Sequence, residues 1–278
     1  MIRFFQDLAL NPLLLHGLIA GLLAGVACGV IGPYVVVGRV VFLAGAIAHI
    51  CIGGLGAALF LRAVVPGFGW VAPLHGALAS ALLAAVAIAY AHSRVRERLD
   101  TLIGAMWAVG MAAGVVLVKY TPGYQSDLLG YLFGSLSTVE RNDLLLIGLL
   151  DLVILILAGL FHKRLLAVSL DSEYASLQGV NLFRMRLVLL VLVALTVVTL
   201  IQVVGVIMVL ALLTLPAATA GHHTSRFGPM VALSTGLGLF LTSVPRAAVY
   251  GTRVPPEAAI VIAAAAVYLL SVLVRRRG

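Results

Sequence analysis

Two polar side chains stand out because each lies inside a long apolar run. His49 interrupts the stretch FLAGAIAHICIGGLG, and Asp151 interrupts DLLLIGLLDLVILILAGLF. Burying either group in hydrocarbon is costly unless it faces a cavity or a partner, so both are candidates for function. A neutral imidazole is a suitable ligand for zinc, iron, manganese or nickel, and a carboxylate can add an oxygen ligand. The two residues are therefore candidate metal ligands.

Both residues also have structural interpretations. His49 could be a buried histidine that is hydrogen-bonded across helices, and the sequence does not separate this role from metal binding. Asp151 could be a cation ligand on a transport pathway, or it could pair with a buried Arg, a His or a helix N-terminus. Structural pairing is the more frequent arrangement for such a carboxylate.

No motif for hydrolytic chemistry is present. The sequence contains no phosphate-binding loop GxxxxGK[ST], no GxSxG elbow and no HExxH pair. The chain is therefore not expected to be an enzyme, and transport driven by ATP would need an ATPase on another chain.

The elements that must position these groups are transmembrane helices. The chain has 278 residues, of which 63% are hydrophobic and only 10% are charged. Several apolar runs of about 20 residues are long enough to cross a bilayer as helices. They lack the alternating polar positions of a transmembrane β-barrel. The sequence predicts an all-α polytopic membrane protein that folds as a single domain over residues 1–278.

The formal net charge of +8 does not indicate nucleic-acid binding, because the basic residues lie at the ends of the predicted spans. Clusters occur at 94–98, 162–186 and 275–277, which is the distribution that the positive-inside rule produces. Placing these clusters and 222–226 on one side requires an odd number of spans. The N-terminus then lies outside the cytoplasm and the C-terminus is cytoplasmic.

We predict about eight or nine spans. The nine-span interpretation places them at residues 13–37, 40–61, 71–92, 101–119, 143–161, 187–202, 205–220, 229–244 and 258–274. The segment 121–143 mixes turn formers, aromatic residues and a polar end, and it could form a half-helix against the bundle. Eight spans plus this half-helix are equally compatible with the pattern.

The first predicted span has a glycine at every fourth position. Small residues at this spacing lie on one helix face and allow two helices to approach closely in lipid, where packing drives association. The sequence therefore predicts a helix-packing seam formed by Gly17, Gly21, Gly25 and Gly29.

The stretch HKRLLAVSLDSEYASLQGVNLFRMR (162–186) is polar and charged between two apolar runs. Asp171 or Ser172 is a suitable N-cap for a short helix over 173–178, and Glu173 suits the positive end of its dipole. Gly179 fits the left-handed residue that ends a helix. Such a helix could be a plain surface loop, or a rigid knob that a cytoplasmic motor pushes.

Four sequence patches, taken together, resemble segments of one known protein family. They are GPYVVVGRVVFLAGAIAHICIGGLG, DLLGYLFGSLSTVERNDLLL, LDSEYASLQGVNLFRMR and VVGVIMVLALLTLPAATA. In this order they are similar to segments of the membrane-spanning permeases of bacterial ABC importers for zinc, manganese and iron. The resemblance covers most of the chain.

The resemblance implies the type II ABC importer architecture in the bacterial inner membrane. Two permease copies would form the pathway, two cytoplasmic ATP-binding subunits would sit below them, and an extracytoplasmic binding protein would deliver the metal. No permanently bound cofactor is expected. In this scheme the short helix is the element that docks on the ATPase, with the residues Asp171, Glu173, Tyr174, Ala175 and Gly179.

The chain departs from the family pattern at one position. Many members carry an aspartate four residues before the span-two histidine, on the same helix face, where the two could bind a metal together. Here that position is Gly45. We hypothesise that Asp151, or a group from a second permease copy, supplies the missing oxygen ligand beside His49.

Three functions are compatible with these features. The first is uptake of a divalent transition metal, with zinc ahead of manganese and iron. The second is uptake of a metal chelate, such as a siderophore-like or cobalamin-like molecule, which the loss of the aspartate at position 45 would suit. The third is a secondary transporter driven by a proton or sodium gradient, with Asp151 as the proton carrier.

Overall fold

A computed structural model describes residues 10–94, 99–122 and 139–275, together with the isolated positions 4, 7, 8 and 134. The described residues form α-helices and no strand. In chain order they are α1 (Pro12–Val37), α2 (Val41–Val64), α3 (Pro73–Arg94), α4 (Leu99–Lys119), α5 (Arg141–Leu170), α6 (Ser172–Leu177), α7 (Leu182–His223), α8 (Phe227–Val249) and α9 (Pro256–Arg275).

Within the described ranges, 8 helices are long and apolar enough to cross a membrane. They are α1 to α5, the Leu182–Ile201 part of α7, α8 and α9. This confirms the all-α polytopic fold that composition and apolar run length predict. Apolar side chains on α4, α5 and α9 remain exposed, as expected for a surface that faces lipid.

The helix termini gather at two ends of the bundle. One end, which we call the basic end, contains the turn Gly38–Arg39, the short helix α6 and the turn 224–226. Two clefts show that these segments are neighbours, because residues of several segments line each cleft. One is lined by Gly38, His92, Ser169 and Arg186, and the other by Val37, Leu170, Arg226 and Tyr268. At the opposite end, Arg246 donates to the carbonyl oxygen of Leu14, and Tyr250 donates to Asp7.

Helix α7 is formed by two limbs. Gly205 has non-helical dihedral angles, φ 74° and ψ 164°, in a region that is open essentially to glycine alone. Arg186 near the start of α7 contacts His92 at the basic end, and His222 near its end contacts Ser271 of α9, also at the basic end. The chain therefore reverses direction at Gly205. This break lies at the boundary predicted between residues 202 and 205.

The end of α5 differs from the predicted boundary, and a second predicted element is mostly not described. Helix α5 continues past residue 161 to Leu170, so the polar stretch 162–186 begins with the last turns of a long helix. Charged residues end the hydrocarbon-spanning part of a helix, but Lys, Arg and Leu are good helix formers and do not end the helix itself. The predicted half-helix within 121–143 lies mostly outside the described residues.

The glycines of the first helix lie against α8. A side-chain carbon on Gly25 would lie 2.9 Å from the backbone of Gly238, and one on Gly29 would overlap the backbone of Thr235. Gly21 is less crowded, with Thr242 at 3.6 Å. Gly17 is buried on the same helix. Small residues at a four-residue spacing thus bring the α1 and α8 backbones into direct contact.

A second set of glycines surrounds the helix that carries His49. On α2, a side-chain carbon at Gly53 would lie 2.7 Å from the carbonyl oxygen of Gly110 on α4. Gly54 packs against Gly76 of α3 in the same way, and Gly56 packs against Gly114. The three helices α2, α3 and α4 therefore form a closely packed group, which fixes the position of His49.

Candidate functional site

His49 lies on α2, half-buried and already in contact with two groups. Its Nδ1 atom is 2.9 Å from the carbonyl oxygen of Gly45, one helical turn earlier. Its ring stacks on Trp107 of α4, with ring centroids 4.3 Å apart and planes 28° from parallel. If Nδ1 donates to the carbonyl, Nε2 is left with its lone pair, which is the form that binds a metal. The geometry therefore leaves one nitrogen of His49 available as a ligand.

The space beside Gly45 is occupied by an apolar side chain. A side-chain carbon at this position would lie 3.0 Å from Cδ1 of Leu210 on α7 and 3.4 Å from its Cδ2 atom. An aspartate here would require Leu210 to move. Gly45 is thus faced by the apolar side chain of Leu210, and the ring of His49, one turn later, is covered by the aromatic ring of Trp107.

Asp151 lies on α5 and is only 3% exposed. Neither of its carboxylate oxygens has a hydrogen-bond partner among the described residues. A buried carboxylate without a partner costs free energy, so its presence requires an explanation beyond packing.

His49 and Asp151 lie on α2 and α5, two helices that do not pack closely against each other in the described part of the chain. His49 belongs to the group formed by α2, α3 and α4, whereas α5 packs mainly against α1 and α7. No group of three or more His, Cys, Asp or Glu side chains that could hold a metal occurs among the described residues. A complete metal site built from these two residues in one copy is therefore not present in the described part of the chain.

The short helix in the polar stretch forms as α6, Ser172–Leu177. Asp171 is its N-cap: one carboxylate oxygen accepts hydrogen bonds from the backbone N–H groups of Glu173 and Tyr174, both at 3.0 Å. Gly179 follows with φ 79°, and the N–H of Val180 donates to the carbonyl oxygen of Ala175. Helix α6 therefore starts at a polar cap and ends at a left-handed glycine.

One face of α6 is anchored and the other is free. Ala175 is fully buried, whereas Tyr174 is 58% exposed and Leu177 is 86% exposed. Glu173 is exposed as well. The helix thus presents an aromatic ring, a leucine and a carboxylate at the basic end, between the long helices α5 and α7. Exposed apolar residues on a rigid, capped element are typical of a protein-binding surface.

Several contacts were not predicted from the sequence. Trp107 stacks on His49, and the Tyr34 hydroxyl hydrogen-bonds to Nδ1 of His162 on α5. Arg246 is 3% exposed at the opposite end of the bundle, where it donates to α1. The buried position of Arg246 could have been suspected, because this charge lies inside an apolar run next to Pro245. Nothing in the sequence indicates that Trp107 contacts His49.

A family model, a curated protein and a solved structure each match almost the whole chain. A sequence model described as "ABC 3 transport family" matches residues 11–275. The chain is 40% identical over 261 residues to an uncharacterised membrane protein of Synechocystis sp., covering 94% of this chain and 90% of that protein. It resembles the solved structure of PsaBC from Streptococcus pneumoniae in complex with Fab, with a TM-score of 0.85 and 29% identity, covering 98% of this chain and 95% of that chain.

Two relatives of lower sequence identity have names that specify a metal. The high-affinity zinc uptake system membrane protein ZnuB of Haemophilus influenzae is 27% identical over 267 residues, covering 95% of this chain and 98% of that protein. The manganese transport system membrane protein MntC of Halalkalibacterium halodurans is 29% identical over 242 residues, covering 85% of this chain and 78% of that protein. The relatives therefore name both zinc and manganese.

Proposed function

Since the chain belongs to the ABC 3 transport family, whose model matches residues 11–275, we propose that it imports zinc as the membrane-spanning permease of a metal ABC importer, with manganese and then iron as the alternatives. The observation that carries the proposal is the capped helix α6, which presents exposed Tyr174 and Leu177 between two long helices at the basic end. The ATPase that this surface would contact is a separate subunit.

The charge distribution supports an orientation for this permease. Arg39, Lys163, Arg164, Arg184 and Arg226 lie at the basic end, and positive residues accumulate on the cytoplasmic side of membrane proteins. We therefore assign the basic end and the C-terminus to the cytoplasm. The opposite end then receives the metal from an extracytoplasmic binding protein, and helix α6 faces the ATPase.

In the proposed mechanism, two permease copies enclose the pathway and two ATPase subunits hold one α6 helix each. ATP-driven closure of the ATPase pair would move the two α6 helices together. Since α6 is joined directly to α5 and α7, and α7 packs against α1, α3 and α9, this displacement would reach the bundle as a rigid-body motion between outward-facing and inward-facing states. His49 and Asp151 would contact the metal in transit, and a second copy would complete the ligand set.

The chelate alternative is favoured by a specific observation. Leu210 fills the space beside Gly45, and the described residues contain no metal-binding group of three or more ligands. A substrate that carries its own ligands would not need such a group. Accumulation of metal only when a chelator is supplied would identify this alternative.

The docking role of α6 is tested by removing its exposed apolar side chains. We expect Leu177→Ala combined with Tyr174→Ala to abolish co-purification of the ATPase subunit and ATP-dependent metal accumulation, because both side chains are more exposed than buried in the isolated chain. The matched control is Val254→Ala, since Val254 is also an exposed apolar residue, 47% exposed, but lies at the opposite end. Unchanged co-purification in the double variant would contradict the docking role.

The metal is identified by elemental analysis of cells that lack their own zinc importer. The cells express this permease with its ATPase and binding-protein subunits and are supplied with zinc, manganese and iron. We expect ATPase-dependent accumulation of zinc. Accumulation without the ATPase would contradict the proposal and support a gradient-driven transporter.

The pathway role of Asp151 is tested separately. We expect Asp151→Asn to lower metal accumulation at an unchanged amount of membrane-inserted protein, because the amide is a much weaker cation ligand than the carboxylate. Asp151→Glu keeps the charge and should retain part of the activity. If accumulation is unchanged in Asp151→Asn, Asp151 is not a ligand.

A further inference from the structure

A cavity with several charged and polar residues in a partly apolar wall lies at the basic end, away from His49 and Asp151. Its volume is about 240 Å³, several times the roughly 30 Å³ that one water molecule occupies in the liquid. It is bordered by the turn between α1 and α2, the end of α3, the start of α4, the end of α5 and the start of α7, and it is partly open to the outside. The polar side chains in its wall are those of Arg39, His92, Asp100, Ser169 and Arg186, and the rest of the wall is formed by Gly38 and apolar residues.

Arg186 is the central cation of this cavity. Its NH1 group lies 2.7 Å from Nδ1 of His92, and a guanidinium can only donate, so this nitrogen of His92 accepts and the imidazole is neutral. No carboxylate of the described residues forms an ion pair with Arg186. A guanidinium has five N–H donors in a fixed fork, and His92 uses one of them. The remaining donors are available to an anion.

Arg39, an exposed residue in the cavity wall, occupies an unusual backbone position. Its φ angle is 55°, and among the described residues no other non-glycine residue has a positive φ. A left-handed conformation is unfavourable for a residue with a side chain and persists only when the surroundings maintain it. Glycine or asparagine would be easier to accommodate, so the arginine side chain at this turn calls for a reason other than backbone geometry.

The backbone at the start of α2 adds further donors. The N-cap of α2 is Val40, which makes no side-chain hydrogen bond to the first N–H groups of the helix, and Val40, Phe42 and Leu43 line the cavity. The positive end of a long helix therefore opens onto it. The Oγ atom of Ser169, also in the wall, is buried and has no partner among the described residues.

We propose that this cavity binds a phosphate group. Arg186, Arg39 and the first turn of α2 all lie in its wall, and guanidinium forks match the oxygens of phosphate. Asp100 is the one acidic residue in the wall; with His92 neutral, it leaves a net charge of +1 from Arg39 and Arg186. The cavity lies at the level of the helix ends, so the phosphate comes either from a lipid headgroup or from soluble phosphate.

The cavity lies next to the base of the short helix α6, so occupancy would affect that helix. Ser169 precedes α6 in the chain and Arg186 follows it, so one bound phosphate would connect the two sides of its base. Occupancy would then hold α6 in a fixed position relative to α5 and α7. Phosphate binding itself depends neither on the identity of the transported metal nor on an ATPase.

The test measures thermal unfolding of the full chain in maltoside detergent, which contains no phosphate group. Inorganic phosphate is titrated in one arm, and phosphatidylglycerol is added to the detergent in a second arm. We expect phosphate or phosphatidylglycerol to raise the Tm. In Arg186→Gln, the phosphate concentration that gives half of the Tm increase should rise about tenfold, because a charge-assisted hydrogen bond is lost. The matched control is Arg184→Gln, an exposed arginine at the start of the same helix that does not line the cavity.

A second variant covers the case in which Arg186→Gln fails to fold. Arg39→Asn removes the other guanidinium and keeps a residue that accepts a positive φ, so it should fold normally and lose the phosphate effect. A response to inorganic phosphate identifies a soluble anion, and a response only to phosphatidylglycerol identifies a lipid headgroup. The proposal is overturned if neither raises the Tm, or if Arg184→Gln reduces the effect as much as the cavity variants do.

Discussion

The α1–α8 seam and the short helix α6 both depend on glycine, but for different physical reasons. At Gly25 and Gly29 the helices are so close that a methyl group has no room, whereas nothing lies within 4 Å of a methyl group at Gly179. Gly179 is required by its φ angle of 79°. The seam is thus fixed by steric contact between two helices, and α6 is fixed by local backbone conformation and capping. This difference separates a rigid bundle from a small exposed element that it positions.

The largest expected effect is at the seam. Gly29→Ala should destabilise the protein by about 3 kcal/mol or more, because the added methyl group meets the backbone of Thr235 and not a movable side chain. Thermal unfolding in detergent or nanodiscs measures the loss.

The control for this variant lies on the same stripe. At Gly21 a methyl group meets Thr242 at 3.6 Å, an ordinary contact, so Gly21→Ala should be neutral or slightly stabilising, since alanine favours helix. Equal losses in the two variants would show that the seam is not set by close approach of α1 and α8.

The second prediction concerns Gly179. Gly179→Ala should cost about 1 kcal/mol locally, because alanine is strained at a positive φ even where space is free. The effect should appear as faster hydrogen exchange of the α6 amides with little change in global Tm. Gly159 in the middle of α5 also has open space around it but has helical geometry, so Gly159→Ala should instead be neutral or stabilising. A global loss of stability in Gly179→Ala would contradict the local role.

The third prediction removes the start of the same helix. Asp171→Ala should cost about 1 kcal/mol, because the N–H groups of Glu173 and Tyr174 lose their acceptor. Asp171→Asn keeps an acceptor oxygen and should retain most of the stability. Hydrogen exchange of α6 distinguishes the two variants, and ATPase co-purification shows whether the folded helix is needed for docking. If Asp171→Asn is as damaging as Asp171→Ala, the carboxylate has a role besides capping.

Local features of the chain could be predicted from the sequence, whereas packing partners could not. The α6 cap, the left-handed Gly179 and the break at residue 205 follow from local residue types, and the glycine spacing of α1 predicts a packing face. The partner of that face does not follow, because nothing in α1 specifies α8 over another helix. For the same reason the stacking of Trp107 on His49 and the packing of Leu210 beside Gly45 were not predictable.

Long-range polar contacts were missed for a related reason. Arg186 and His92 are 94 positions apart in sequence, and their contact exists only because the ends of α3 and α7 meet at the basic end. Each residue by itself is typical of a charged or polar side chain at a membrane interface. The sequence therefore predicted where basic residues gather, whereas the cavity depends on which helix ends become neighbours.

The smallest expected effect is at the opposite end of the bundle, where the N-terminal segment meets the turn after α8. The Tyr250 hydroxyl donates to Asp7 at 2.9 Å, and this hydrogen bond raises the pKa of Tyr250 above its usual value. Because the folded pKa exceeds the unfolded one, the stabilisation is complete below the unfolded pKa, about 10, and is lost as the pH rises through the folded pKa. Tyr250→Phe should remove this alkaline loss, which thermal unfolding against pH measures. The ring of Tyr250 also packs edge-on against Phe4 at 5.2 Å, and phenylalanine preserves that contact. A variant that retains the same alkaline decline would assign the titration to another group.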